Sequence, residues 1–340
     1  SDGGYVVCGG TDTISGLPRF YVVKTDSLGA LQWDSVYLST QGDAYSIAET
    51  SDGGFILTGQ SDGLALLVKT DATGAIQWSR DVGADAFGFA YSVQQTSDRG
   101  YVIGGTLAGD LPGIGYSHGM SLVKTDSTGS VIWRKVLAED YSDEQALVRV
   151  DQTSDGGYVV AGRKLPLGLR LAKISSSGAT LWERTYPDQD LGDGRSVQQT
   201  VDGGYIVTGA MGPLDTDPDY TCDVYLLKTD SVGGFCWVRR FGGSGMEEGR
   251  CVRQTSDRGF IVAGIIQPSG RNDFDGYIVR TDSLGNLRWS KTLGVVNRYD
   301  EACCAQQTSD GGFIITGMGL YNPEIDTALM YLQKLAPEGQ

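Results

Sequence analysis

A run of alternating carboxylates is the part of this sequence best suited to metal chemistry. The segment LDTDPDYTCD (Leu214–Asp223) contains Asp215, Asp217, Asp219 and Asp223. Alternating oxygen ligands suit a hard cation such as Ca²⁺. The segment lacks the central glycine and closing glutamate of an EF-hand loop. The plainer interpretation is a solvated acidic loop, and a calcium site is the alternative, Ca²⁺ being the one cofactor that the sequence suggests.

Aromatic residues in the acidic loops could form a second kind of site. The plainer interpretation is ordinary exposed loop aromatics, and the alternative is a surface on which sugar rings stack beside carboxylates. The only histidine stands among them and has no identifiable nucleophile as a partner. The candidate residues for a binding face are Tyr116, His118, Tyr220, Phe274 and Tyr321.

No motif assigns a catalytic residue. The chain has no G-x-S-x-G nucleophile elbow and no P-loop. Paired carboxylates for glycoside cleavage could be assembled from almost any of its acidic loops, so their presence decides nothing. The sequence therefore favours a non-catalytic protein over an enzyme.

Charge and hydropathy narrow the classes of partner. The formal net charge is −15, which argues against nucleic acids and anionic membrane surfaces. No apolar run reaches the length of about 18 residues that a transmembrane helix needs. We predict no nucleic-acid partner and no membrane insertion.

The chain contains six cysteines and no C-x-x-C pair, which argues against zinc. Cys251 and Cys304 occupy one repeat position, where Ser46, Ser92 and Ser196 stand in other repeats. This pattern predicts small buried side chains there, although Arg149 is an exception. A disulfide from Cys8 to Cys303 or Cys304 is an alternative. An even count is compatible with an oxidising, extracellular setting.

These candidates lie between copies of one short phrase, as in SDGGFIL from Ser51. Copies recur at steps of 46 to 57 residues, and a period near fifty is typical of propellers and solenoids. The copies begin at Ser1, Ser51, Ser97, Ser154, Val201, Ser256 and Ser309.

One repeat reads as four short strands joined by tight turns. In the second copy they are Ala44–Thr50, Phe55–Gly59, Ala65–Thr70 and Ala75–Val82. Four antiparallel strands per fifty residues make a propeller blade. We predict an all-β, seven-bladed β-propeller forming one domain over residues 1–340. Its repeats start near residues 1, 44, 90, 146, 195, 249 and 302, and its terminal blades are incomplete within this chain.

Two further residues recur along the repeats. All six tryptophans share one register of the fourth strand, as Trp78 does, which predicts packing between neighbouring blades. A lysine or arginine stands just before the turn between the third and fourth strands, as Lys24 does in KTDSLG. It is interpreted as a solvent-side contact.

The phrases DGGYVVAG (Asp155–Gly162) and VYLLKTDSVG (Val224–Gly233) resemble the secreted β-propeller repeat proteins of bacteria and archaea. TDSLGNLRW (Thr281–Trp289) is also similar to the repeat of pyrroloquinoline-quinone-type propellers, although no cofactor residue can be placed. The resemblance covers the whole chain. It implies a propeller that is secreted or on the cell surface, and propellers of this kind serve as adhesion, scaffold and binding modules as well as enzymes.

The repeats differ in their second–third loops and blade-to-blade links, where function is usually carried. The loops are Leu107–Met120, Met211–Asp223, Gln267–Gly276 and Met318–Thr327, and the links are Leu137–Ala146, Tyr186–Arg195 and Leu293–Glu301.

We therefore predict a non-catalytic structural or interaction propeller that binds a protein or glycan at this variable face. Self-association into a homo-oligomer or fibre through the terminal blades is part of the prediction. The alternatives are a carbohydrate- or calcium-binding module and, second, a glycoside hydrolase or lyase on the variable-loop face.

Overall fold

The computed structural model describes most of the chain as β-strands and short turns. No helix is found among the described residues, so none there is long and apolar enough to cross a membrane. The structure describes all residues except 1, 13–17, 38–40, 84–86, 112–114, 138–147, 165–167, 187–190, 213–220, 244, 269, 272, 296–297, 323–326 and 340.

The described strands form seven antiparallel sheets in chain order, called blades 1 to 7 here. Blade 1 contains β1 (Tyr5–Asp12), β2 (Pro18–Thr25) and β3 (Leu31–Tyr37). Blade 2 contains β4 (Gly42–Glu49), β5 (Phe55–Ser61), β6 (Leu64–Thr70) and β7 (Ile76–Asp81). Blade 3 contains β8 (Phe87–Gln95), β9 (Tyr101–Leu111), β10 (Gly115–Thr125) and β11 (Val131–Val136).

The remaining blades repeat this meander. Blade 4 contains β12 (Arg149–Gln152), β13 (Tyr158–Lys164), β14 (Gly168–Ile174) and β15 (Thr180–Thr185). Blade 5 contains β16 (Ser196–Gln199), β17 (Tyr205–Met211), β18 (Asp223–Thr229) and β19 (Phe235–Phe241). Blade 6 contains β20 (Glu247–Gln254), β21 (Phe260–Ile266), β22 (Asp275–Thr281) and β23 (Leu287–Leu293). Blade 7 contains β24 (Glu301–Gln307), β25 (Phe313–Asn322) and β26 (Thr327–Leu335).

The prediction of an all-β, seven-bladed β-propeller is confirmed. Within the described residues, blades 1 and 7 have three strands and the other five have four. Two compact units are distinguished: residues 1–160 with 174–180, and residues 161–173 with 181–340. The single domain over 1–340 stays a prediction.

The turn between the first and second strands is held by a buried cation. In blade 2 the Asp52 carboxylate accepts hydrogen bonds from the Gly54 N–H and from the Lys69 ammonium. Lys69 is only 3% exposed, and its Nζ also donates to the Thr70 carbonyl at 2.7 Å. The interpretation of the repeated cation as a solvent-side contact was therefore wrong, because the third strand carries it inward beneath the turn. Lys24, Lys124, Lys228 and Arg280 make the same contact.

Each tryptophan packs on the following blade, as predicted. The Trp78 ring lies edge-on to Tyr101, with 5.8 Å between ring centroids. It also covers Gly129, which adopts a left-handed conformation with φ of +82° in the turn between β10 and β11 of blade 3. The motif thus supplies an indole in one blade, and an aromatic ring and a glycine in the next. The same ring pairing joins Trp33 to Phe55, Trp133 to Tyr158, Trp182 to Tyr205, Trp237 to Phe260 and Trp289 to Phe313.

Candidate functional site

The structure places the predicted site residues unevenly. Asp215, Asp217, Asp219 and Tyr220 lie outside the described residues. Tyr116 and His118 stand in β10, where they pair with Asp110 and Ala108 of β9. Tyr321 stands in β25.

Two predicted loops are therefore strands for part of their length. The segment Leu107–Met120 was expected to be a loop, but the β9–β10 hairpin continues to the pair Leu111 and Gly115. Likewise β25 continues to Asn322, inside the predicted loop Met318–Thr327.

Asp223 is the one predicted calcium ligand that the structure describes. It begins β18, is 3% exposed and forms an ion pair with Arg240. Glu247, at the start of β20, is 2% exposed, and its Oε2 has no hydrogen-bond partner among the described residues. Burial raises the pKa of Glu247, and repulsion by Asp223 adds to that effect. Among these residues no three Asp, Glu, His or Cys side chains are arranged to hold a metal ion.

Phe274, the remaining predicted residue, lies where a variable loop meets a variable link. Its carbonyl accepts the Asp300 N–H at 2.7 Å, which joins the loop before β22 to the link before β24. Its ring is 6.0 Å from that of Tyr299, at a tilt of 40°. Tyr299 is 54% exposed, whereas Phe274 is half-buried. The pair therefore presents one supported aromatic ring to solvent.

An ion-pair network fixes the loop that carries this pair. Arg271 donates to Asp275 at 2.8 Å and to Asp273 at 2.7 Å. Asp273 in turn accepts the Arg298 N–H from the link at 3.1 Å. Asp273 and Asp275 are buried, so the guanidinium ties two carboxylates that would otherwise be costly to bury. The loop aromatic pair (Phe274 and Tyr299) thus sits on a braced segment.

A second feature repeats in the first strands of the blades. The ladder between the first and second strands contains a bulge at one fixed position, which is Tyr45, Tyr91, Arg250 or Cys303. A bulged residue is released from regular pairing, and bulges often re-aim side chains near functional sites. The side chain at this position therefore differs between blades, whereas the strand pairing around it is the same.

In the first unit the bulged residues form an aromatic group. The rings of Tyr45 and Tyr91 are 5.4 Å apart, and Phe89 stacks on Tyr91 at 5.9 Å. Arg149 donates to the Tyr91 carbonyl at 2.6 Å. Tyr45 is 36% exposed, and burial followed by the charge of Asp43 raises its pKa to about 12. Tyr45 is therefore uncharged at neutral pH, and these three residues are called the first-strand aromatic group (Tyr45, Phe89 and Tyr91).

In the second unit the same region is charged and internally paired. Arg195 contacts Asp193 at 2.7 Å and also binds Glu248. Arg250 contacts Glu248 at 3.1 Å and forms a two-pronged ion pair with Glu301. Burial raises the pKa of Glu248 despite both arginines. These five side chains form a charged row that links blades 5, 6 and 7. Each charge in the row is paired with another charge of the row.

Sequence reasoning missed Tyr299 and the first-strand aromatic group. Tyr299 stands in the predicted variable link Leu293–Glu301, so its position beside Phe274 depended on folding. Tyr45 and Tyr91 precede the repeated serine position by one residue, and their periodicity was the available signal.

Comparison with known proteins supports the fold. No family model and no curated protein matches this sequence. Solved structures do match, among them the polysaccharide lyase PL25 ulvan lyase bound to -[GlcA(1-4)Rha3S]-, with a TM-score of 0.66 and 9% identity over 98% of this chain and 90% of that one. The BP39L lectin from Burkholderia pseudomallei gives a TM-score of 0.60 with 10% identity, covering 98% and 93%. The Pan2 WD40 domain of Neurospora crassa gives 0.51 with 12% identity, covering 88% and 84%.

Proposed function

We propose that this protein is a non-catalytic, glycan-binding interaction propeller, secreted or on the cell surface. One observation supports the proposal most directly: a variable loop and a variable link meet to present Tyr299 over Phe274 on a braced base. An exposed aromatic ring on a braced base suits the apolar face of a sugar ring.

The alternatives have less support. Asp223 and Glu247 form a carboxyl pair with one raised pKa, but at 3% and 2% exposure they are too enclosed to contact a polymer. A lectin and a polysaccharide lyase are among the proteins of similar fold, so the fold accommodates glycans in both classes. Calcium binding by Asp215, Asp217, Asp219 and Asp223 stays a prediction, as does self-association.

A glycan array carrying neutral and acidic oligosaccharides tests the proposal. For any glycan bound, Tyr299→Ala should weaken affinity about two- to tenfold, because a stacked ring contributes roughly 0.5–1.5 kcal/mol. Tyr299→Phe keeps the ring and should bind nearly as the parent does. Phe235→Ala is the matched control, since Phe235 is 50% exposed on another strand of the same unit.

Two results would count against the proposal. Equal binding by Tyr299→Ala and the parent would remove the loop aromatic pair as the site, and Tyr45→Ala would then test the first-strand aromatic group. Release of unsaturated uronic acid or new reducing ends from the bound glycan would instead favour the lyase or hydrolase alternative.

A further inference from the structure

One repeated position connects the first strands of neighbouring blades. In three places it is a serine whose hydroxyl accepts an N–H from the next blade. Ser46 accepts from Val93 at 3.2 Å, and Ser92 accepts from Val150 at 3.3 Å. Ser196 accepts from Val252 at 3.2 Å. The position thus serves as a polar link between sheets.

In blades 6 and 7 the link is made by sulfur. Cys251 and Cys304 occupy the serine position of β20 and β24, and their Sγ atoms are 2.7 Å apart. Nonbonded heavy atoms usually rest at about 3.5–4 Å, so the two thiols are in close contact. Cys251 is 5% exposed and Cys304 is half-buried, and both adjoin the core formed with Ile261, Ile315 and Ala305.

We propose that Cys251 and Cys304 form a disulfide that links blades 6 and 7 covalently. The bond forms by exchange with a low-molecular-weight disulfide. The more exposed Cys304 thiolate attacks it and releases one thiol, which gives a mixed disulfide. Cys251 loses its proton, attacks the Cys304 sulfur and releases the second thiol. The two protein thiols lose two protons and two electrons, and the small disulfide is reduced to two thiols.

The neighbouring Cys303 is not part of this bond. It is the half-buried, bulged residue of β24 and lies beside Arg250, so its thiol faces the charged row and not Cys251. The adjacent position of the two cysteines makes Cys303 the competitor that the experiment must separate from Cys304.

Peptide mapping tests the proposal directly. The full chain is incubated with oxidised glutathione, free thiols are alkylated under denaturing conditions, and trypsin is added without a reductant. The expected product joins the peptide of residues 251–253 to that of residues 299–334. Because the second peptide contains both cysteines, Cys303→Ser assigns the bond: the product should persist in this variant and disappear in Cys304→Ser.

Thermal melting supplies an independent readout. Reduction should lower the melting temperature of the parent and of Cys303→Ser by several degrees, because the bond closes a loop of about 50 residues. It should leave Cys251→Ser and Cys304→Ser unchanged. Both variants are expected to fold, since serine occupies this position in three other blades. Full alkylation of Cys251 and Cys304 after oxidation, or linkage through Cys303, would overturn the proposal.

Discussion

Replacing Gly129 by alanine should loosen the contact between blades 2 and 3. Gly129 has φ of +82°, and a Cβ atom there would lie 2.7 Å from Cζ3 of Trp78 and 2.9 Å from its Cη2. Gly53 has nearly the same conformation, with φ of +79°, and nothing lies within 4 Å of the corresponding Cβ position. The two glycines therefore share backbone strain and differ in steric contact.

The expected costs follow from that difference. A left-handed conformation costs an alanine roughly 1–2 kcal/mol, and this applies to both substitutions. Overpacking against the indole adds about 1–3 kcal/mol for Gly129→Ala alone. Denaturant unfolding followed by far-ultraviolet circular dichroism measures both free energies of unfolding. We expect Gly129→Ala to be the more destabilising by at least about 1 kcal/mol.

A double-mutant cycle isolates the contact with the indole. In a Trp78→Ala background the ring is absent and only Cγ of the flexible Arg80 side chain remains close, at 2.9 Å, so the cost of Gly129→Ala should fall towards that of Gly53→Ala. Equal costs for the two alanine substitutions in the parent protein would refute the reasoning, because backbone strain alone would then explain them. So would a Gly129→Ala cost that Trp78→Ala leaves unchanged.

Three further predictions concern charge. Burial raises the pKa of Asp52, but hydrogen bonds from Thr50 and Lys69 outweigh this effect and lower the pKa to about 2. The ionised Asp52 therefore stabilises the fold, and this stabilisation should be lost as the pH falls from about 4 to 2. The acid unfolding of Asp52→Asn should lack this pH-dependent loss. Because burial raises the pKa of Glu247, Glu247→Gln should stabilise the protein at neutral pH and lose that advantage in acid, where Glu247 is protonated, as melting at several pH values would show. If the Leu214–Asp223 segment binds calcium, millimolar Ca²⁺ should raise the melting temperature, and Asp223→Asn should reduce the rise.

The sequence was most informative where a residue had the same neighbours in every repeat. The aspartate–glycine turns specify hairpins through local chemistry, and Trp78 meets the same ring and glycine motif in the next blade as Trp33 or Trp237 does. Strand number, turn positions and tryptophan packing could be predicted for that reason.

The site was less accessible because its contacts are particular to one blade. Tyr299 lies beside Phe274 because the Asp300 and Arg298 N–H groups join two segments that differ from those of other repeats. The burial of the repeated lysines could not be predicted from the sequence either, since a lysine at a turn is ordinarily exposed. Only the fold reveals that Lys69 lies beneath the Asp52 turn with its charge compensated.

Two adjacent positions of the first strands have different roles. The position of Ser46, Ser92 and Cys251 links one sheet to the next, through a hydroxyl in the first two cases and a thiol in the third. The preceding bulged position, held by Tyr45 in blade 2 and Arg250 in blade 6, lies outside the regular ladder. A change at the linking position removes a contact between blades, whereas a change at the bulge leaves the backbone pairing intact. This separation explains how nearly identical sheets can carry an aromatic group in one unit and a row of ion pairs in the other.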